Sequence, residues 1–207
     1  GQETDLVIAY EPGESVKKRL KEEGDNLIIK PIGRDALVFM ANQGNSVKSL
    51  TGRQVIDIYS GKIKNWKAVG GSSQAIRAFQ RPENSGSQNL MEKLVMKGTA
   101  MAEAPQDYVV SEMGELIEKV SAYDNTGEAL CYSVYYYAKN MYQKPELKFM
   151  AVDGVMPSSD TIRDGSYPYV SDFYAAVRKD EPKDSNAYRL FEWLTSDDGQ
   201  ALINTLG

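Results

Sequence analysis

Short apolar runs alternate with charged, helix-forming stretches along nearly the whole chain, a pattern that predicts α/β architecture. Leu6-Val7-Ile8-Ala9-Tyr10 reads as a short buried strand, closed by Glu11-Pro12-Gly13. Residues 14–23 are charged and helix-prone, and Gly24-Asp25-Asn26 stops them. Leu27-Ile28-Ile29 and Ala36-Leu37-Val38-Phe39-Met40 read as two strands separated by the turn-rich Pro31-Ile32-Gly33-Arg34-Asp35. Thr51 is placed to N-cap a helix with Val55, Ile58 and Tyr59 on one face and Gly61 as its stop. Residues 65–71 read as a loop and residues 75–79 as a strand.

After that strand the pattern turns helical to about Lys97, and residues 108–120 predict another helix. Residues 129–138 and 147–152 read as strands, and Ser158 opens a short capped helix through Arg163. Residues 169–178 alternate loosely as a strand. Asn186 to Leu194 is a firm amphipathic helix, and Ser196-Asp197-Asp198-Gly199-Gln200 opens a last one. No repeats or low-complexity tracts interrupt this order.

Composition narrows the chemistry. The chain has 207 residues, room for one large or two small domains, and a formal net charge of −5. Its lysines are scattered, which argues against nucleic-acid binding by bulk electrostatics. No run nears the roughly 18 apolar residues that span a bilayer. Gly1 to Thr4 reads as a trimmed chain start, so localisation is not read from it. There is no histidine, which rules out Ser-His-Asp and Cys-His catalysis and removes the commonest zinc ligand. The single cysteine, Cys131, reads as a buried, inert thiol in a strand. No two carboxylates are fixed at a glycosidase spacing. The expectation is a protein that is not an enzyme, with no cofactor and no metal.

The candidate chemistry lies in Phe79-Gln80-Arg81-Pro82-Glu83-Asn84-Ser85-Gly86-Ser87-Gln88. An apolar run ends at an arginine, and a Ser-Gly-Ser turn follows ahead of the helical pattern. Backbone N–H groups at a helix start carry partial positive charge, so two hydroxyls and a guanidinium beside one suit a small oxyanion. Plainer readings stand beside this one. Arg81 fits a surface cation paired with Glu83, and Ser85-Gly86-Ser87 fits an ordinary N-cap, which is the same physics. Tyr132, Tyr135, Tyr136 and Tyr137 read as strand and cleft packing, with one or two as donors. Trp66 and Trp193 read as packing residues.

The block Ser60-Gly61-Lys62-Ile63-Lys64-Asn65-Trp66-Lys67-Ala68-Val69-Gly70-Gly71, followed by Arg81-Pro82-Glu83-Asn84-Ser85-Gly86-Ser87, resembles the phosphate-binding proteins of ABC transporters. Phe191-Glu192-Trp193-Leu194 and Ser196-Asp197-Asp198-Gly199-Gln200 fit that family's closing helices. The resemblance implies a type II periplasmic-binding-protein-like fold of two α/β lobes with a ligand cleft. One lobe would hold residues 1–78 plus 166–207, and the other residues 79–165.

The family's anion grip maps onto Arg81, Ser85, Gly86 and Ser87, with Ser87 where threonine is usual and Glu83 placed to orient Arg81. The chain begins at what resembles the family's third strand, so the first lobe is expected to be incomplete, lacking the N-terminal strand-helix units. Where the family carries a proton-accepting Asp, this chain has Tyr10-Glu11, which makes Glu11 either a substitute acceptor or a solvated turn residue.

The function implied is capture of phosphate or a related tetrahedral oxyanion for an ABC permease in the membrane. The implied setting is extracytoplasmic, as a secreted protein or a membrane-anchored lipoprotein. The alternative is a non-transport ligand-binding or signalling module on the same fold, with weak or no oxyanion binding. An incomplete first lobe also predicts a rearranged sheet or an unpaired strand edge, and with it a homodimer.

Overall fold

The computed structural model describes residues 5–10, 12–22, 24, 26–83, 85–122 and 127–205. In chain order they form strand β1 (Leu6–Tyr10), helix α1 (Glu14–Glu22), strands β2 (Leu27–Asn42) and β3 (Ser49–Leu50), and helix α2 (Gly52–Tyr59). A 3-10 turn at Trp66–Val69 leads to strand β4 (Arg77–Ala78) and helix α3 (Gly86–Leu90), which runs on as a π-helix over Met91–Met96. A second 3-10 turn, Gln106–Tyr108, precedes helix α4 (Met113–Ser121) and strand β5 (Ala129–Val134). After a π-helical turn at Tyr137–Met141 come β6 (Leu147–Phe149), β7 (Ala151–Val152), helix α5 (Ser159–Arg163), β8 (Val170–Arg178), α6 (Asn186–Leu194) and α7 (Asp197–Thr205). The α/β expectation holds.

Two compact units divide the chain: Gly1–Asp35 with Ser171–Gly207, and Ala36–Val170. The chain passes between them inside β2 and at the start of β8. These junctions differ from the expected ones near residues 78 and 166. Residues 36–78 pack with the second unit because β2 pairs with β5 there, and β3 and β4 pair with β7 and β5.

In the first unit β8 is central. It pairs antiparallel with β1, placing Leu6 opposite Val177 and Tyr10 opposite Phe173, and hydrogen-bonds to β2 on its other side. Ile32, Ala175, Val177, Phe191 and Leu194 form the buried cluster, with α6 laid on it. The Ser185 side chain caps α6 by accepting the Tyr188 N–H. Among the described residues β1 pairs on one side only. It is therefore not the buried strand that its composition suggests: Val7 is 44% and Ile8 55% exposed.

In the second unit the far half of β2 is the centre. It pairs antiparallel with β5 from Leu37–Val134 to Ala41–Leu130, and with β6 from Met40–Phe149 to Asn42–Leu147. Ala36 to Ala41 are buried throughout, as a strand covered on both faces requires. The Phe39 ring meets Tyr59, Tyr132 and Tyr169 at centroid distances of 6.0–6.4 Å. A second cluster joins Phe79, Val110, Leu116, Ile117, Val120 and Cys131. Cys131 is fully buried, and burial pushes its thiol up to about 12. Trp66 is buried, whereas Trp193 is 40% exposed.

Several element boundaries differ from expectation for tertiary reasons. The two strands expected at 27–29 and 36–40 are one strand of 16 residues. Pro31 and Gly33 sit within it, and the Phe173 ring packs so close to Gly33 that a Cβ there would lie 2.3 Å from Cζ. The helix expected from 108 begins only at Met113: Tyr108 closes the 3-10 turn and Val109 is extended (φ −99°, ψ 113°). Val109 is bridged to Gln80, whose N–H donates to the Tyr108 carbonyl (2.8 Å) and whose carbonyl accepts the Val110 N–H (3.1 Å). The strand expected to reach 138 stops at Val134. Thr51 and Ser158 both close capping boxes, as their positions predict.

Candidate anion-binding site

The site is built outward from β4. Its strand-like path continues past Ala78, because Phe79 N–H donates to the Leu130 carbonyl (2.8 Å) and Gln80 bridges to residues 108–110. Arg81 stands at the end of that path, as the sequence predicts. Its backbone N–H donates to the Tyr132 hydroxyl (3.0 Å), and its Nη1 donates to the Val110 carbonyl (3.0 Å). The guanidinium is thereby aimed by backbone from one side and leaves Nε free of that bond.

The Ser85 N–H donates to the Pro82 carbonyl (3.0 Å). Ser85 itself is extended (φ −78°, ψ 147°), and its hydroxyl accepts the Gln88 N–H at 3.2 Å. It is the N-cap of a helical segment that continues without break from residue 86 to 96. Pattern Ser-x-x-Gln would allow Gln88 to reach back to the cap. Instead its Oε1 accepts from the Tyr132 hydroxyl, and its Nε2 donates to Glu92 Oε1 (2.9 Å). Tyr132 thus ties the Arg81 backbone to the residue that follows Ser87.

Two polar atoms here have no hydrogen-bond partner among the described residues although both are buried: Arg81 Nε and Ser87 Oγ. Ser87 as a whole is 2% exposed. A buried donor without a partner is costly, so each of these two atoms calls for an explanation such as a bound acceptor. Burial lowers the Arg81 pKa, against which the Tyr132, Glu112, Tyr137 and Glu115 side chains favour its charge. An arginine stays cationic at neutral pH through such a shift.

Not every expected residue joins this cradle. Glu83 is exposed, and the carboxylates that bear on Arg81 are Glu112 and Glu115. The orienting role expected of Glu83 falls instead to the Val110 carbonyl. Tyr10 belongs to the first unit, where its hydroxyl donates to Asp35 Oδ2 at 2.8 Å. Burial, then the Asp35 charge, pushes the Tyr10 pKa far up. Glu11 lies outside the described residues. Gln88 and Val110 are the additions: the first had a signal in its spacing from Ser85, while a backbone carbonyl carries none.

Comparison with known proteins follows the same line. A family model described as PBP superfamily domain matches residues 2–198. The phosphate-binding protein PstS of Borreliella burgdorferi is 29% identical over 178 residues, covering 84% of this chain and 62% of that protein. The chain thus spans about three fifths of the length of the curated relatives it matches. An ABC-type phosphate transport receptor from Vibrio cholerae superposes with TM-score 0.73 at 25% identity, covering 99% of this chain and 79% of that one. A chain from Clostridium perfringens solved with bound phosphate superposes with TM-score 0.79 at 23% identity, over 98% of this chain and 77% of that one, and shows the fold.

Proposed function

The chain belongs to the PBP superfamily, and from that premise we propose that Arg81, Ser85, Gly86 and Ser87 capture phosphate or a related tetrahedral oxyanion. The protein then serves as the solute-binding component of an ABC importer. The observation that carries the reading is the pair of buried donors without partners among the described residues, Arg81 Nε and Ser87 Oγ, set beside a capped helix start. A tetrahedral oxyanion offers acceptor oxygens in several directions and satisfies a guanidinium, a hydroxyl and first-turn N–H groups together. The relatives' names support the same ligand class. An extracytoplasmic setting and a permease partner follow from the importer role, with anchorage as a lipoprotein as one form of it.

Titration calorimetry with phosphate, sulfate, molybdate and tungstate tests this reading. Phosphate is expected to give saturable heat that the Arg81→Ala variant loses. Absence of heat from all four anions with a folded protein overturns it.

One observation favours a second reading, a non-transport ligand-binding or signalling module on the same fold. All the described donors belong to the second unit, and the Tyr10 hydroxyl of the first is engaged by Asp35. That module would hold oxyanions weakly, so affinity separates the two readings. Self-association through the one-sided strand β1 belongs to the proposal as well, on the strength of the exposed Val7 and Ile8.

A further inference from the structure

The second unit contains a cavity of about 310 Å³ that the anion cradle does not use. Its floor is apolar. Met40 and Ile117 are buried there, with Leu147 and Phe149 half-buried beside them. Its rim carries Lys139, Lys144 and Lys148. Of the twelve described residues that line it none is acidic, on a chain whose net charge is −5. That volume lies at the lower end of the range for small-molecule sites, about 300–1,000 Å³.

The lysines are held in place by different contacts. Lys148 Nζ donates to the Asn45 carbonyl, leaving further N–H bonds to offer. Lys139 Nζ stands 5.1 Å from the centroid of the Tyr135 ring. Lys144 lies 3.9 Å from Glu118, whose side chain is 60% exposed, a pairing that screens little of its charge. The floor is also anchored: Gln43 Nε2 donates to the Leu147 carbonyl at 3.2 Å. A bare inorganic anion would leave the apolar floor unused, and a neutral apolar molecule would leave the ammonium groups unused.

We propose that this lysine-rimmed cavity is a second ligand site, taking a small organic carboxylate with an aromatic or branched apolar body. The carboxylate meets the lysine rim, and the apolar body lies on Met40, Ile117, Leu147 and Phe149. The site is separate in chemistry from the cradle at Arg81, so it stands whether or not that cradle binds phosphate.

The test uses 2-naphthoate as the probe, with its neutral counterpart 2-naphthalenemethanol and inorganic phosphate as comparisons. Binding is followed by ligand-observed NMR and by calorimetry on the full chain. Naphthoate is expected to bind saturably and the neutral alcohol at least tenfold more weakly. Lys139→Gln and Lys144→Gln should each weaken naphthoate about fivefold, the scale of one partly exposed charge contact. Gln143→Trp, at an exposed rim position, should block it without disturbing the floor. Arg81→Ala and saturating phosphate should leave naphthoate binding unchanged. Circular dichroism confirms that each variant is folded. Absence of binding, equal affinity for the neutral alcohol, indifference to both lysine variants, or loss on Arg81→Ala would each overturn the proposal.

Discussion

The Tyr132 hydroxyl accepts the backbone N–H of Arg81 at 3.0 Å, from the middle of a strand that is 51 residues further along the chain. The same hydroxyl donates to Gln88, so one buried phenol holds both arms of the cradle. Removing it should loosen the cradle and strand polar groups at once. Tyr132→Phe leaves the Arg81 N–H and Gln88 Oε1 without this partner, at a cost of about 1–3 kcal/mol in stability. Phosphate affinity should fall about tenfold as Arg81 and Ser87 lose their register. Urea denaturation reads the first effect and calorimetry the second. A variant that loses stability but binds phosphate normally would reduce Tyr132 to packing.

Ser87 should behave in the opposite way. Its hydroxyl is buried without a partner among the described residues, so Ser87→Ala removes an unsatisfied group. Stability should hold or rise by up to about 1 kcal/mol. Phosphate binding should weaken about tenfold, the value of one lost charge-assisted hydrogen bond. Ser87→Thr keeps the hydroxyl and should keep the affinity. Equal losses of stability and affinity in Ser87→Ala would show that the hydroxyl serves the fold.

Local signals made one arm of this site legible from sequence and left the other hidden. Ser85 is readable as a cap because a serine ahead of a helical pattern has few other uses, and Arg81 is readable because an apolar run stops on it. The residues that aim Arg81 are not readable this way. Val110 contributes a carbonyl, and Tyr132 reaches the site through the pairing of β5 beside β4. Glu83, the charge nearest in sequence, is exposed instead.

The same limit explains β2. Pro31 and Gly33 are turn residues by local chemistry, yet strand pairing and the Phe173 ring hold residues 27–42 in one extended path. Local rules also overestimated the burial of β1, because burial depends on a neighbour that its own residues do not encode.

Gly33 gives that override a measurable consequence. A Cβ at this position would stand 2.3 Å from Phe173 Cζ and 2.5 Å from Cε1, inside any van der Waals contact. Gly33→Ala should therefore destabilise the protein by about 1–3 kcal/mol through overpacking. Phe173→Leu shortens the opposing side chain and should recover much of that loss in the double variant. A thermodynamic cycle by chemical denaturation gives the coupling. Additive losses would place the strain elsewhere.

Alkaline titration should expose the buried phenols. Burial pushes the Tyr59, Tyr132 and Tyr167 pKa values well up, and that of Tyr169 to about 12. An unfolded tyrosine ionises near 10. Above that pH the unfolded chain releases protons that the folded one keeps, so stability falls as pH rises. The contribution is complete below about pH 10 and is lost from there through 12 and beyond. Tyrosinate absorbance and far-ultraviolet circular dichroism should be followed together. The buried fraction is expected to ionise only as the dichroism collapses. Full ionisation with the fold intact would contradict the burial.

The last test concerns β1. From Leu6 to Tyr10 the strand carries no charge, and Val7 and Ile8 are 44% and 55% exposed. At its start Asp5 pairs with Arg178 at 3.1 Å. Among the described residues this uncharged strand pairs on one side only, without the features that natural edges use to repel other strands. Antiparallel pairing of β1 with its own copy would add a backbone ladder and cover both residues. Light scattering behind size exclusion should show a concentration-dependent dimer. Ile8→Lys places a charge on each edge and should shift the species to monomer, with the phosphate heat unchanged because the cradle lies in the other unit. A wild-type chain that stays monomeric at all concentrations would refute pairing through β1.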